Sequence, residues 1–496
     1  APGIAWWLSR PSARREARLS DEQQRFLRAN ARKIWRFFET FVGPQDYWLP
    51  PDNYQERPPV VAHRTSPTNI GLSLLANLSA YDFGYLSAGQ LIERTACTLR
   101  TMARLERYRG HFYNWYDTQS LQPLHPIYIS AVDSGNLAGH LLILQSGLRA
   151  LPDEAIVGAR GIDGLQDTFE ILADALKQHL PPPLKRFQQS LARAARERPS
   201  TLAAVRQLLE QLAADAERGA GELEKNARKT ARAWAQALAQ QCRDTLDELL
   251  FFTPWLTLPP PPDGGVAGFL ATGTLPTLRQ LAQLDAEPAA LLDQPEPPVA
   301  SPAAREWLVA VKPALQTAGR HARERIAAIE HLALHAGELA QMDYGFLYDP
   351  TQHLLAIGYN YSDRRRDVSY YDLLASEIRL GVFTAVAQGQ LPKESWFALG
   401  RLLSVEAGEP TLISWSGSMF EYLMPLLVMP TDDHTLLDQT YRGAVARQIE
   451  YGRQRGVPWG VSESGYNAVD AQLNYQYHAF GVPGLGLKRG LASDLA

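Results

Sequence analysis

The chain has 496 residues, and 49 Lys and Arg residues against 53 Asp and Glu residues give a formal net charge of −4 at pH 7. This near-neutral balance argues against a basic nucleic-acid-binding surface. The hydrophobic content of 45% is typical of globular proteins, and the two cysteines are too few for a disulfide framework.

The first residues are apolar, with Trp6 and Trp7 followed by Arg10, Arg14 and Arg15. Tryptophans followed by positive charges are typical of the end of a transmembrane helix. An ordinary helix start is the alternative. No run of about 20 apolar residues follows, so the sequence predicts no membrane span of its own.

Helices dominate the first third of the predicted structure. A capping box of Ser20 and Gln23 starts a helix over 21–40, and apolar periodicity predicts helices over 68–80, 87–108 and 133–148. Aromatic and polar loops join them.

The middle third differs in composition. Helical patterns over 160–250 and 302–341 have polar faces and few aromatics. This composition indicates a helical insertion or an appended bundle, which we expect to supply few residues to a binding cleft.

Aromatic and polar residues return in the last third. A hairpin is predicted around residues 346–359, and helices are predicted at 370–388, 395–405, 417–428 and 435–455. Many helices joined by aromatic loops are consistent with an all-α toroid, an α/α barrel whose loops form a cleft at one end.

Glu377 is predicted within a helix. Its neighbours three and four positions away are apolar or small: Leu373, Leu374, Leu380 and Gly381. Burial would favour the protonated carboxyl that a general acid requires. The alternative is a structural carboxylate that pairs with an arginine such as Arg379.

Glu463 lies on a predicted loop between Trp459 and Tyr466. A carboxylate beside aromatic rings suits a sugar site, because ring faces stack on pyranose C–H surfaces. A capping role for a following helix is the alternative. Glu421 is a third candidate carboxylate, and Asp133 is predicted to be the N-cap of the helix over 133–148.

Metal and nucleotide sites are not indicated. His331 and His335 are four positions apart, but no HExxH pattern accompanies them, and no P-loop, Rossmann fingerprint or GxSxG elbow occurs. The sequence therefore predicts no cofactor. Carboxylates with Trp, Tyr, Asn and Arg are the usual inventory of a site that processes glycosidic bonds.

Several longer motifs resemble those of the cyclic β-1,2-glucan synthases. The segments that carry this resemblance are 63–71, 110–117, 132–140, 357–360, 370–377, 414–417, 419–425 and 458–464. Together they place the resemblance over about residues 35–150 and 343–490. The order and length of these motifs make the resemblance highly specific.

The resemblance implies the central cyclisation domain of these membrane-bound synthases, glycoside hydrolase family 189. It implies an (α/α)6 barrel fold. Together with the composition, it divides the chain into a membrane-proximal stub over 1–19, a first barrel half over 20–184, a helical insertion or appended bundle over 185–342, and a second barrel half with the catalytic carboxylates over 343–496. It also implies neighbouring glycosyltransferase and phosphorylase-like regions at the cytoplasmic face of the inner membrane.

The activity implied by the resemblance is ring closure of linear β-1,2-glucan by anomer-retaining transglycosylation, with Glu463 as nucleophile and Glu377 as acid/base. Glu421 is then a further acid or a substrate contact. The expected substrate-binding residues are polar or aromatic: Trp48, Asp52, Asn53, Arg64, Asn69, Asn114, Trp115, Tyr116, Asp133, Tyr359, Asn360, Trp415, Trp459, Tyr466 and Asn467. An endo-β-1,2-glucanase and a non-catalytic glucan-binding scaffold remain as alternatives.

Overall fold

The computed structural model describes residues 19–259, 275–284, 302–406, 408–471, 473–478 and 481–487. The expected membrane-proximal stub lies almost wholly outside these residues. Most of the described chain is helical. In order, the α-helices are α1 (Asp21–Phe41), α2 (Pro67–Asp82), α3 (Ala88–Met102), α4 (Ala131–Ala150), α5 (Ala159–Ala175), α6 (Pro182–Glu197), α7 (Leu202–Asn226), α8 (Lys229–Phe252), α9 (Leu278–Leu281), α10 (Pro302–Leu339), α11 (Ile378–Ala387), α12 (Glu394–Ala398), α13 (Met419–Leu423) and α14 (Leu436–Arg455).

Short strands lie between the helices and form sheets of two or three strands. They are β1 (Tyr54–Glu56), β2 (Pro59–Val61), β3 (Arg64–Thr65), β4 (Arg107–Tyr108), β5 (His111–Phe112), β6 (Tyr116–Asp117), β7 (Tyr128–Ser130), β8 (Tyr348–Asp349), β9 (Leu354–Ala356), β10 (Gly358–Asn360), β11 (Arg365–Arg366), β12 (Tyr370–Tyr371), β13 (Leu403–Glu406), β14 (Glu409–Leu412), β15 (Ser464–Val469) and β16 (Tyr475–His478). The hairpin predicted around 346–359 is present as β8 paired with β9. The prediction of an all-α chain with one hairpin was therefore wrong in its strand content.

The observed N-cap agrees with the predicted one at helix α1 but not at helix α4. Ser20 accepts a hydrogen bond from the Gln23 amide, and the Gln23 side chain accepts one from the Ser20 amide, which confirms the capping box. At α4 the N-cap is Ser130, whose hydroxyl accepts from the Asp133 amide at 3.2 Å. The prediction that Asp133 is the cap was wrong, because its carboxylate is used in tertiary contacts instead.

Three predicted helices end early or start late because their terminal residues pair as strands. The helix predicted over 87–108 ends at Met102, and β4 pairs with β5. The helix predicted from residue 370 starts at Ile378, because β12 pairs with β9. Strand pairing thus overrides local apolar periodicity at these helix ends, within a hairpin for β4 and with an earlier segment of the chain for β12. The helix predicted over 395–405 ends at Ala398, and β13 pairs with β14.

Helix α4 is central to the part of the fold that carries the carboxylates. It packs against α2, α10 and α11. One buried hydrophobic cluster contains residues from the first, middle and last thirds of the chain, for example Leu144, Leu332 and Ile378. Residues 185–342 are therefore packed into the same core as the rest of the described chain. Among the described helices, none has the length and apolarity needed to cross a bilayer.

Helices α4 and α11 approach closely at two glycines. A Cβ atom at Gly135 would lie 2.3 Å from the Cα atom of Gly381, a separation that no side chain tolerates. The two backbones therefore cross in direct contact. This crossing brings the N-terminal turns of α4 next to the start of α11, which Glu377 precedes.

Candidate active site

Glu377 is the residue directly before α11, rather than within a helix as its apolar neighbours had suggested. Its Oε2 accepts a hydrogen bond from Asn136 Nδ2 at 2.9 Å. Asn136 is buried on α4, next to Gly135. The close contact between Gly135 and Gly381 therefore places the Asn136 amide beside the Glu377 carboxyl. The sequence correctly predicted burial of the segment but not the local backbone.

Arg379 does not pair with Glu377, so that alternative was wrong. The Arg379 guanidinium is fully buried and donates to backbone carbonyl oxygens at 2.6–2.9 Å, those of Ala375, Ser376, Glu421 and Tyr422. These bonds tie the segment before α11 to helix α13. Arg379 therefore fixes the segment that carries Glu377 relative to helix α13.

We expect Arg379→Lys to lower the free energy of unfolding by about 3 kcal/mol, because an ammonium cannot satisfy four carbonyl oxygens in a buried site. Chemical denaturation measures the difference. Arg401→Lys is the matched control: Arg401 donates to Phe397 and Leu399 carbonyls at the surface, and its effect should stay within about 0.5 kcal/mol. Equal losses of unfolding free energy in the two variants would contradict this structural role of Arg379.

Glu463 lies on the loop that leads into β15, as the sequence predicted, but a strand and not a helix follows it. The Tyr477 hydroxyl donates to Glu463 Oε2 at 2.6 Å, and the Ser418 hydroxyl donates to Oε1 at 3.5 Å. Tyr477 is on β16, the partner of β15. The hairpin and the N-cap of α13 therefore hold this carboxylate from two sides.

Burial and nearby charge shift the pKa values of the two carboxyls to different extents. Burial raises the pKa of Glu377 well above its ordinary value, and the negative charge of Glu463 raises that pKa further. Burial also raises the pKa of Glu463, but the Tyr477 hydroxyl opposes that shift. The pKa of Glu377 is therefore raised more strongly than that of Glu463, and such an asymmetry is what an acid–base pair of carboxyls requires.

Tyr477→Phe removes the short hydrogen bond to Glu463. We expect the pKa of Glu463 to rise, so that activity on the acidic side of the pH profile falls and that limb moves upward by about one pH unit. The pH dependence of kcat measures this effect. Tyr475→Phe, on the same strand, is the control, and an identical profile for both variants would exclude the role of Tyr477.

Glu421 is buried, and its Oε2 accepts hydrogen bonds at 2.6–3.0 Å from four donors: Ser414 Oγ, Ser416 N, Ser416 Oγ and Gly417 N. The adjacent Ser418 caps α13 and contacts Glu463. Because Glu421 Oε2 accepts four hydrogen bonds from Ser414, Ser416 and Gly417, it holds the backbone of this loop in place. We therefore propose that Glu421 positions Ser418, and not that it donates a proton.

Asp133 and its neighbours extend the polar network away from Glu377. Thr68 Oγ1 donates to Asp133 Oδ1 at 2.6 Å and accepts from Asn136 at 3.2 Å. The Asn114 amide, in the orientation that satisfies both neighbours, donates to Asp133 Oδ2 at 2.9 Å and accepts from Trp115 Nε1 at 3.2 Å. Burial raises the pKa of Asp133, and the Thr68 hydrogen bond opposes that shift.

A second polar group continues from Trp115. The Arg64 guanidinium lies 5.2 Å from the Trp115 ring centroid and donates to Asp52 Oδ2 at 3.0 Å. Asn53 and Asn69 also donate to Asp52, at 3.1 and 3.3 Å. Seven of the expected substrate-binding residues, Asp52, Asn53, Arg64, Asn69, Asn114, Trp115 and Asp133, thus form one contiguous network that leads to Glu377.

Four of the expected substrate-binding residues have other surroundings. Trp48 lines a separate cavity beside Arg94. Tyr116 is fully buried, and its hydroxyl donates to the Glu106 carbonyl oxygen at 2.6 Å, so its expected contact with substrate was wrong. Tyr359 stacks on Tyr108 with a centroid distance of 5.8 Å. Asn360 accepts from the Asp363 amide within a turn.

The remaining expected residues lie around the Glu463 loop. Trp415 is next to the serines that hold Glu421, and its Nε1 is a buried polar atom without a partner among the described residues. Trp459 is 52% exposed. The Tyr466 hydroxyl donates to the Ser462 carbonyl oxygen at 2.6 Å. Asn467 lies in β15, and its side chain is outside the described part of the structure.

From sequence alone, no role is predicted for Tyr477, Ser418 or Thr68, and Asn136 stands out only as part of the motif at 132–140. Thr68 and Asn136 belong to the motifs at 63–71 and 132–140, so the sequence did point to the segments that contain them. Tyr477 lies in no motif and becomes visible only when β15 pairs with β16.

Residues 185–342 contribute none of the hydrogen bonds to Glu377 or Glu463 in the described structure. His331 and His335 lie with ring centroids 6.3 Å apart. Over the described residues, no group of three or more His, Cys, Asp and Glu side chains has the arrangement of a metal site.

Comparison with known proteins identifies one curated relative. The chain is 38% identical over 518 aligned residues to cyclic beta-(1,2)-glucan synthase NdvB from Rhizobium meliloti (strain 1021). The alignment covers 100% of this chain and 16% of that protein, so the chain spans about a sixth of its relative. No protein-family model matches the chain.

Solved structures resemble the chain only distantly. A putative glucoamylase from Bacteroides fragilis NCTC 9343 has a TM-score of 0.43 and 11% identity, over 95% of this chain and 75% of the other. An endo-beta-1,2-glucanase from Chitinophaga pinensis, in complex with sophorotriose and glucose, has a TM-score of 0.41 and 10% identity, over 95% and 76%.

Proposed function

Because the chain is homologous over its full length to one segment of a cyclic β-(1,2)-glucan synthase, we propose that it closes linear β-1,2-glucan into rings by anomer-retaining transglycosylation. The observation that carries the proposal is the pair of carboxyls Glu377 and Glu463, each held by a hydrogen bond, with the charge of Glu463 raising the pKa of Glu377. Two such carboxyls are the machinery of glycosidic bond cleavage.

In the first step, Glu463 attacks the anomeric carbon of an internal glucosyl unit while Glu377 protonates the glycosidic oxygen. The glycosidic bond breaks, the reducing-end fragment leaves, and a glycosyl ester forms on Glu463. Tyr477 supports this role, because its hydrogen bond favours the ionised nucleophile.

In the second step, Glu377 accepts the proton of the 2-hydroxyl at the chain's own non-reducing end. That oxygen attacks the anomeric carbon, the ester breaks and a β-1,2 linkage closes the ring, so no water is consumed. Ring closure needs the hydroxyl to be held near the ester while water is kept away. Glu377 is half-buried, and its neighbours Ser376 and Ile378 are buried, which supports limited access of water.

The buried polar atoms without partners suit sugar hydroxyls. Asn136 Oδ1 and Trp415 Nε1 have no hydrogen-bond partner within the described residues, and such atoms are costly unless a ligand satisfies them. We propose that glucosyl hydroxyls bind them, and that Asp52, Arg64 and Trp115 bind a neighbouring unit of the same chain.

We further propose that the helices form an (α/α)6 toroid whose second half carries both carboxyls. In the parent protein we propose neighbouring glycosyltransferase and phosphorylase-like regions and a location at the cytoplasmic face of the inner membrane. Homology to a segment that is 16% of the synthase supports this context.

Incubation with linear β-1,2-glucan and mass spectrometry of the products tests the function. We expect products lighter by one water than linear chains of equal length. If the reaction is run in ¹⁸O-water, the rings should carry no label. Linear, singly labelled fragments would instead indicate an endo-β-1,2-glucanase. No products, with binding retained, would indicate a non-catalytic scaffold.

We expect activity to survive extensive treatment with EDTA, because two carboxyls suffice for this chemistry. The measurement is the initial rate of glucan conversion before and after chelation. Loss of activity that a divalent cation restores would overturn the metal-free proposal.

A further inference from the structure

One cavity lies apart from the two carboxyls, because neither Glu377 nor Glu463 lines it. Its volume is about 670 Å³, and its walls come from α1, α3, α7 and α8 and from the loop that carries Trp48. Ligand pockets commonly have volumes of roughly 300–1,000 Å³. We propose that this cavity is a second, non-catalytic binding site for linear β-1,2-glucan. The identity of the ligand rests on the proposed function.

Trp48 supplies an aromatic surface in this cavity. The Arg94 guanidinium lies 5.3 Å from the Trp48 ring centroid and 5.1 Å from that of the buried Trp35. Its Nη2 also donates to the carbonyl oxygens of Phe38 and Val42. Arg94 is therefore held in place, and it fixes the indole that borders the cavity.

The backbone at Trp48 is held in an uncommon conformation. Tyr47 and Trp48 are consecutive residues with φ values of 50° and 64°, the left-handed region that bulky residues avoid. The Trp48 amide donates to the Gly43 carbonyl oxygen at 2.8 Å, and its carbonyl oxygen accepts from Thr98 at 3.0 Å. Such conformations persist where the surroundings enforce them, often at ligand sites.

A chain of hydrogen bonds joins other residues that line the cavity. The Asp244 carboxylate accepts from the amides of Gln90 and Gln240, both at 2.7 Å. Gln240 in turn accepts from Arg243 at 3.2 Å, and Arg243 pairs with Glu217 at 2.7 Å. The network joins α3, α8 and α7 and presents fixed amide and carboxylate groups to the cavity, an arrangement suited to hydroxyl groups.

The charges of the lining are nearly balanced, which favours a neutral ligand over an anion or a cation. Three arginines and four carboxylates line the cavity. Besides the Arg243–Glu217 pair, Arg36 pairs with Glu39 at 3.1 Å. An aromatic face, fixed amides and little net charge together describe a saccharide site.

A second site would increase the affinity for long chains. A glucan that occupies the cleft and the cavity together gains from the high effective concentration of its second segment. We therefore expect cavity variants to raise KM for long glucans and to leave kcat unchanged.

Isothermal titration calorimetry with a β-1,2-linked pentasaccharide tests the site in the Glu463→Gln background, which prevents turnover. The parent should bind two molecules per chain. Ala237→Trp, which fills the cavity from α8, should bind one. Gln236→Ala combined with Gln240→Ala should weaken one event by about tenfold. Gln207→Ala, an exposed glutamine of α7 outside the cavity lining, is the matched control.

Circular dichroism first establishes that each variant is folded. One binding event in parent and variants alike would overturn the cavity site, while wild-type turnover of the glucan would leave the proposed function intact. Two events that persist in Ala237→Trp would also overturn it. Conversely, a cavity event without any wild-type turnover would support the site and refute the catalytic proposal.

Discussion

Glu463→Gln should lower the rate of glucan conversion by at least about 1,000-fold while the protein stays folded. An amide cannot form the glycosyl ester, so the first step of the proposed mechanism is lost. The hydrogen bond from Tyr477 at 2.6 Å can still find the amide oxygen, so the hairpin of β15 and β16 should be retained. The initial rate and the thermal unfolding curve are the two measurements.

Glu394→Gln is the control for this substitution, because Glu394 is exposed on α12. It makes the same chemical change away from the site, and its rate should equal that of the wild type. A folded Glu463→Gln variant with near-normal turnover would remove Glu463 from the nucleophile role.

Glu377→Gln should lower the rate by roughly 100- to 10,000-fold, the usual contribution of general acid–base catalysis. The wild-type pH profile should be bell-shaped. Its acidic limb reports protonation of Glu463, and its basic limb reports loss of the proton from Glu377 at its raised pKa. The basic limb should disappear in the Glu377→Gln variant. A basic limb that persists unchanged would assign it to another group.

The same substitution should stabilise the fold at neutral pH. Because burial raises the pKa of Glu377, the folded chain keeps a proton that the unfolded chain releases. The contribution of Glu377 to stability is therefore present below its ordinary pKa of 4.5 and is lost as pH rises through the raised value. Glutamine cannot ionise, so unfolding of the variant should lack this pH dependence.

Much of the site could be predicted because its residues lie in contiguous motifs. Asp52, Arg64 and Asn69 are close in sequence and close in space. The burial of Glu377 followed from its apolar neighbours. Its backbone position did not, because β12 pairs with the earlier strand β9 and the helix begins only at Ile378, which apolar spacing alone does not reveal.

Other features depend on pairings that no spacing predicts. Tyr477 reaches Glu463 only across the β15–β16 hairpin. From the sequence, Trp48 was expected to bind the same substrate as Trp115, because both residues lie in aromatic loops. The left-handed backbone at Trp48 and the contact with Arg94 direct its ring into the other cavity. Clustered aromatic residues thus predicted sugar-binding chemistry, but not which cavity each residue lines.

The most direct test of the mechanism is to trap the glycosyl ester. Glu377→Gln is mixed with an activated β-1,2-gluco-oligosaccharyl fluoride, whose leaving group needs no acid. Because the variant lacks the base for the second step, the ester should accumulate. Peptide mass spectrometry after acid quench should locate the oligosaccharide on Glu463. Release of fluoride with an unmodified Glu463 peptide, or with the adduct on another residue, would contradict the assignment of Glu463 as the nucleophile.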